Sequence, residues 1–458
     1  MNLNALAKGY GFTWLVILVI LLVIENTNFL LLYGNILTEY TFSILSLIVS
    51  ILIVFSSLAA GKFLLQHSAG ALLVKRDQTG SKKDTYTART FKLITFAQYA
   101  MWIAVSIIAV HALVASGYYT LLFVLTVGIS FTTAAVTLGL LAFRLFSWYN
   151  RDAERGTKLV ILSYGLTAAL LTVGCLVIVG FNLPVIYAEE GAWVEGPPVE
   201  VAFSRVGANS TTTLLLGVPY IPLRTVYLFL WIASAILLRY YSKRIGKLKY
   251  WTVMSLPLAS FIIGSAYIST IEDNTSASFV SALVIQISVV TGGLLFAFAF
   301  FTVAKSLPSS NQASVYLKIS GSGILLLVIS FLPGIIYAPF PLWGLASWST
   351  VALAAFLFSS GVYSSALSVS YDTTLRRLLR SLYIKQEEYK REQASLLKSL
   401  GDAQLEQDLQ KKVMKIFKEK EDIIRQQYAG VESSLTEKDM REYLEMIKEE
   451  RRKEQGNI

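Results

Sequence analysis

The stretch Ser368–Lys390, SVSYDTTLRRLLRSLYIKQEEYK, is where this 458-residue chain changes solvent. Ahead of it the sequence is mostly apolar. Behind it runs a long tract of Lys, Arg, Glu, Gln and Leu. Residues 372–458 hold 19 of the 40 basic and 18 of the 30 acidic side chains, so only 21 basic and 12 acidic groups interrupt the 371 residues before them. With 54% hydrophobic and 15% charged residues overall, the chain divides in two. Residues 1–371 read as a transmembrane bundle, and residues 372–458 as a charged cytoplasmic helical tail.

Working back from the junction, ten apolar blocks appear, each near the roughly 20 residues that a helix needs to cross a bilayer core. The first five run over Phe12–Tyr33, Thr41–Leu65, Phe91–Ala115, Tyr118–Phe143 and Leu159–Asn182. The second five are Leu223–Tyr241, Tyr250–Thr270, Ser278–Ala304, Val315–Ala338 and Trp343–Val369. The fold class is therefore all-α: a polytopic bundle of about ten spans followed by a coiled-coil-like tail. The first block also has the outline of a signal peptide, with Lys8 ahead of an apolar run. No small-x-small cleavage site follows it, which favours a retained helix.

Basic residues near the spans set the expected orientation. The inside loops are 66–90, with Lys75, Arg76, Lys82, Lys83 and Arg89; 144–158, with Arg144, Arg151, Arg155 and Lys158; and 242–249, with Lys243, Arg244, Lys247 and Lys249. The outside loop 183–222 instead carries Glu189, Glu190, Glu195 and Glu200 against Arg205 alone. Both termini then lie in the cytoplasm, and the cell membrane is the expected location. Two N-x-S/T sequences, at Asn209 and Asn274, fall on outside loops. Within 183–222, alternation in VEVAFSRV followed by STTTLLLGV predicts a small β-hairpin, with an irregular lid as the alternative.

A net charge of +10 raises nucleic acid as a partner, but its basic residues sit in short loops beside apolar spans. The lipid bilayer accounts for them and nucleic acid does not. Ionisable groups within spans are costly, and each marks a candidate site. Glu25 and Asn28 lie in the outer half of span one, His111 near the outer end of span three, Arg224 at the outer start of span six, and Gln286 in the outer third of span eight. Together they outline a candidate outward-facing polar cavity. Glu25 reads either as a helix-packing carboxylate, with Arg224 able to neutralise it, or as part of a pocket for a small molecule or ion. One His and one Glu without fixed spacing do not specify a metal site.

No catalytic, cofactor-binding or metal constellation emerges, and the chain is expected not to be an enzyme. SGSG at Ser320–Gly323 resembles the setting of an intramembrane serine nucleophile. Ser322, however, falls near the inner end of its span and His111 near the outer end of another. Small-residue patterns such as TGGLLFAFA, Thr291–Ala299, mark close helix packing instead. The single cysteine, Cys175, excludes an internal disulfide.

In the tail, a four-three walk from Leu375 visits Leu379, Leu382, Leu396, Leu400, Met414, Phe417 and Ile424, a seam suited to a protein partner or to self-association. Unbroken from Thr373 to Ala429, that helix would reach about 85 Å. Gly401 and Gly430 are expected to break it. At the junction, Arg376, Arg377 and Arg380 fall where anionic headgroups lie. The segments SLGDAQLEQDLQKKVMK and SSLTEKDMREYLE resemble tail segments of uncharacterised archaeal multi-span membrane proteins with a cytoplasmic helical tail. That resemblance implies a layout and no activity. The expected function is a non-enzymatic sensor or assembly scaffold that couples the bundle to its tail. The alternative is a transporter or channel with a regulatory tail, since five plus five spans would invert the second half against the first.

Overall fold

The computed structural model describes residues 12–25, 41–73, 85–115, 117–150, 155–188, 193–195, 220–239, 242, 245–268, 275–307, 312–336 and 344–371, together with Leu400 and Gln404. Within them the protein is all-α, with ten helices that answer one to one to the ten apolar blocks. They are α1 (Phe12–Glu25), α2 (Thr41–Leu73), α3 (Thr85–Ala115), α4 (Thr120–Tyr149), α5 (Arg155–Ala188), α6 (Tyr220–Leu238), α7 (Lys247–Ile268), α8 (Thr275–Lys305), α9 (Gln312–Ile336) and α10 (Leu345–Tyr371). Seven of them (α2 to α5 and α8 to α10) are long and apolar enough to cross a membrane, while α1 and the Thr225–Leu238 part of α6 are shorter apolar helices. This is an integral membrane protein built on a polytopic helical bundle.

Several helices outrun their apolar blocks. α2 continues to Leu73 and α4 to Tyr149, so Arg144 belongs to a helix and not to the loop expected at 144–158. The cause is tertiary: the Arg144 guanidinium lies 3.7 Å from the Tyr363 ring centroid on α10, and Trp148, one turn on, is fully buried. Cation–π stacking inside the bundle gives this charge a place that hydropathy alone denies it. Two short strands, β1 (Gly117–Tyr119) and β2 (Trp193–Glu195), pair antiparallel with Tyr118 opposite Val194. The hairpin expected over Val199–Val218 lies outside the described residues, as do Arg376, Arg377 and Arg380. So do the seam positions Leu375, Leu379, Leu382, Leu396, Met414, Phe417 and Ile424 and the breaks at Gly401 and Gly430. Leu400 and Gln404, one turn apart, are helical and buried, and Leu400 belongs to the same apolar core as the bundle.

Contacts between neighbours fix the direction of each helix. On α3 and α10, Phe91 meets Phe356 while Gln98 meets Ser349, so the two run antiparallel. On α4 and α10, Ser130 meets Trp348 while Arg144 meets Tyr363, so these two run parallel. Phe55 against Trp102 and Lys62 against Tyr99 set α2 antiparallel to α3. α6 and α7 are antiparallel through Trp231 to Met254 and Ala235 to Tyr250. Successive helices alternate, as a chain threading a bilayer requires.

At the centre stands α10, buried along the whole of Leu345–Ser370. Helices α2, α3, α4 and α9 pack around it. The tightest crossing is with α9, where SGSG divides its work. A methyl on Gly323 would sit 2.7 Å from the Phe358 Cα of α10, and one on Gly321 would sit 2.9 Å from the Phe301 ring of α8. From the other side, a methyl on Gly361 would lie 2.7 Å from the Ser320 amide nitrogen. In a bilayer, where burial of oil from water gives no force between helices, such close backbone approach is a principal source of association.

TGG at Thr291–Gly293 divides the same way. Gly293 faces Leu325 and Val328 of α9, and Gly292 lies under the Tyr227 ring of α6, which also stacks on Phe261 of α7 at 4.4 Å. The Tyr227 hydroxyl donates to the Ser288 carbonyl at 2.8 Å. Gly292→Ala is expected to lower stability by about 2 kcal/mol, because its methyl occupies the place of the phenol. Combined with Tyr227→Phe, the loss should be less than the sum of the two single losses. A detergent-denaturation double-mutant cycle checks this, and strict additivity would show that the two sites do not touch.

Candidate functional site

The ten described helices contain one acidic side chain, Glu25. It is the last described residue of α1 and only 1% exposed. One carboxylate oxygen accepts the Ala346 amide at 2.9 Å; the other accepts the Ser347 amide at 2.9 Å and the Ser347 hydroxyl at 2.8 Å. These are the second and third residues of α10, whose first turn leaves its amides without intrahelical acceptors. An ordinary N-cap would use the residue ahead of the helix. That residue is Gly344, whose carbonyl accepts the Trp348 amide at 2.8 Å and whose φ is +79°, where glycine is at ease and which most residues avoid. Gly344 has no side chain with which to cap, and Glu25 caps from across the bundle. The partial positive charge of a helix N-terminus favours an anion there.

A collar of polar groups surrounds this turn. Ser130 of α4 donates to the Trp348 carbonyl at 2.5 Å, Gln98 of α3 to the Ser349 carbonyl at 3.3 Å, and the hydroxyls of Ser330 (α9) and Thr350 share a hydrogen bond at 2.7 Å. Within α10, Ser349 and Thr350 donate back to Ala346 and Ser347. The turn is deep. Ser130 lies about 15 Å along α4 from its first residue, at 1.5 Å per residue. α10 therefore begins inside the bundle and is held there by groups from α1, α3, α4 and α9.

Of the residues expected to form one polar cavity, Glu25 is the member whose carboxylate partners are described. They are the α10 amides and Ser347, a set that hydropathy did not suggest. Gln286 is buried on α8, and its amide nitrogen has no hydrogen-bond partner among the described residues. α8 packs on α6, α7 and α9, and among the described residues no hydrogen bond joins Gln286 to Glu25. His111 is half-buried on α3, about 20 Å along the helix from Gln98. Asn28 and the Arg224 side chain lie outside the described residues. Among the described residues no three His, Cys, Asp or Glu side chains gather as metal ligands.

Sequence reasoning did not single out Ser130, Ser330, Ser347, Ser349 or Thr350 as site residues. The available signal was the serine-rich run LASWSTVALAAFLFSSGVYSSALSVSY, whose hydroxyls suit a helix surrounded by protein better than one facing lipid. The chain matches no family model, no curated protein and no solved structure.

Proposed function

We propose that this protein is a ten-span, non-enzymatic membrane sensor or assembly scaffold whose central helix transmits the state of the bundle to a cytoplasmic tail. The observation that carries the reading is the position of α10. The helix on which the anchoring contacts converge is the one whose last residue, Tyr371, leads into the charged segment. A rotation or slide of α10 against α9 would be passed directly to whatever follows. Leu400 supports the coupling, since it shares an apolar core with the bundle although it lies 29 residues beyond Tyr371. Alternating helix directions and the basic-residue asymmetry support an even number of spans with both ends in the cytoplasm. In this reading Arg376, Arg377 and Arg380 hold the junction to anionic headgroups, and the seam through Leu375, Leu379 and Leu382 presents a face to a protein partner.

The test is insertion of one to four alanines after Tyr371 in the full chain, followed by crosslinking through the tail. The expected result is a response that varies with a period near 3.6 residues. Four insertions that behave alike would mark the junction as a slack tether and end the proposal.

One observation favours a second reading, transport. α10 starts within the bundle at a polar collar, and transporters of the inverted-repeat type place helix termini in that way at their substrate sites. Solute uptake into vesicles by a chain truncated after Tyr371 would support transport over signalling.

A further inference from the structure

We propose that Glu25 is a proton-operated latch: uptake of one proton from the aqueous phase releases the N-terminus of α10 from α1. This step goes beyond the sensor reading and does not depend on what the tail binds.

The geometry sets the chemistry. All three hydrogen bonds to Glu25 come from donors, namely the Ala346 amide, the Ser347 amide and the Ser347 hydroxyl. An ionised carboxylate, which only accepts, satisfies all three. When a proton adds to one oxygen, the carboxyl carries an O–H that faces donors. At least one bond is lost, and so is the charge that the helix N-terminus favours.

Among the described residues no cation stands beside the ionised form. α10 contains no Asp, Glu, Lys, Arg or His. On α2, the Lys62 ammonium lies over the Tyr99 ring at 5.6 Å, and His67 lies more than two turns beyond Ser57, towards the Leu73 end. On α3, Arg89 and Lys92 precede Gln98 and His111 is far along the helix the other way. Arg144 of α4 stacks on Tyr363, more than three turns from Ser347, and Lys318 of α9, whose carbonyl accepts the Ser322 hydroxyl, lies three turns from Ser330. Among the described residues the latch is thus a carboxylate set against helix amides and a hydroxyl, with no neighbouring charge.

A second buried group stands level with it. Ser57 of α2 is fully buried, and its hydroxyl has no partner among the described residues. It lies one turn before Gly61, which touches Leu353, and α2 runs parallel to α10, so Ser57 shares the face turned towards the Ser349 level. Its oxygen is a buried acceptor about half a turn along α10 from Ser347.

The experiment uses the full chain in lipid nanodiscs. Infrared difference spectra between about pH 8 and about pH 5 should show the carbonyl band of a buried protonated carboxyl, absent in Glu25→Gln. Hydrogen exchange of the Ala346–Ser347 peptide, corrected for intrinsic rate, should speed up about ten-fold at the lower pH. In Glu25→Gln it should be fast at both. Should that variant fail to fold, Ser347→Ala keeps the carboxylate and both amide donors, removes only the hydroxyl's hydrogen bond, and should move the midpoint by about one pH unit. Absence of the band overturns the proposal. So does a band with unchanged exchange, or a Ser347→Ala midpoint that does not move.

Discussion

Gly323→Ala and Gly361→Ala are each expected to destabilise the bundle by about 3 kcal/mol, the upper part of the range for overpacking a filled core. The size follows from what each methyl would strike. At Gly323 it meets the Phe358 amide nitrogen, the Phe358 Cα at 2.7 Å and the Leu357 carbonyl carbon at 2.8 Å. At Gly361 it meets the Ser320 hydroxyl and, at 2.7 Å, both the Ser320 nitrogen and the Tyr316 carbonyl oxygen. Apart from the Ser320 hydroxyl these are backbone atoms, which cannot swing aside as a side-chain end can. The helices must separate, and α10 then loses packing along its length. Once one methyl has forced them apart, the second meets less resistance, so the double variant should lose less than the sum. Titration of the purified variants with a denaturing detergent, read by circular dichroism, measures the loss. A change within about 0.5 kcal/mol for both would show that the crossing is looser than drawn.

Glu25→Ala is expected to lose about 3–5 kcal/mol, as when one member of a buried charged pairing is removed and its partners are stranded. Here the stranded groups are the amides of Ala346 and Ser347, both fully buried. Glu25→Gln should lose less, since one amide oxygen still accepts. The same denaturation assay ranks the three proteins. Equal stability of Glu25→Ala and the parent would place the carboxylate at the headgroups instead of in the core.

The number and order of helices were legible because ten oily blocks separated by charged loops leave few other folds in a bilayer. What lay beyond reach was where helices end and what the polar residues meet. Arg144 looked like the start of a loop, and the ring of Tyr363, 219 residues later, gives it a place within the bundle. Glu25 stood out as costly, yet its partner is a set of backbone amides 321 and 322 residues away, which have no signature in side-chain chemistry. Cavity-lining by depth alone grouped Glu25 with Gln286 and His111. Depth along a span is readable from sequence, but the rotation of each helix about its axis is not. The glycines of TGG were read as packing surfaces and SGSG was weighed as a nucleophile setting and set aside; the contacts of Gly292, Gly293, Gly321 and Gly323 are all close packing.

The full burial of α10 bears on how such a protein is made. α10 is the last of the ten helices to leave the ribosome, and its slot is walled by α2, α3, α4 and α9, all synthesised earlier. Until it arrives, those neighbours face an unfilled centre, with Gln98, Ser130 and Ser330 lacking their α10 partners. Its own hydroxyl-rich surface suits protein contact better than lipid. Biogenesis should therefore pass through a nine-helix intermediate that is threaded but unfinished, the form that membrane chaperones and quality-control proteases recognise. Arrival of α10, clasped at its first turn by Glu25 of α1, then joins the first and last of the ten helices in one contact.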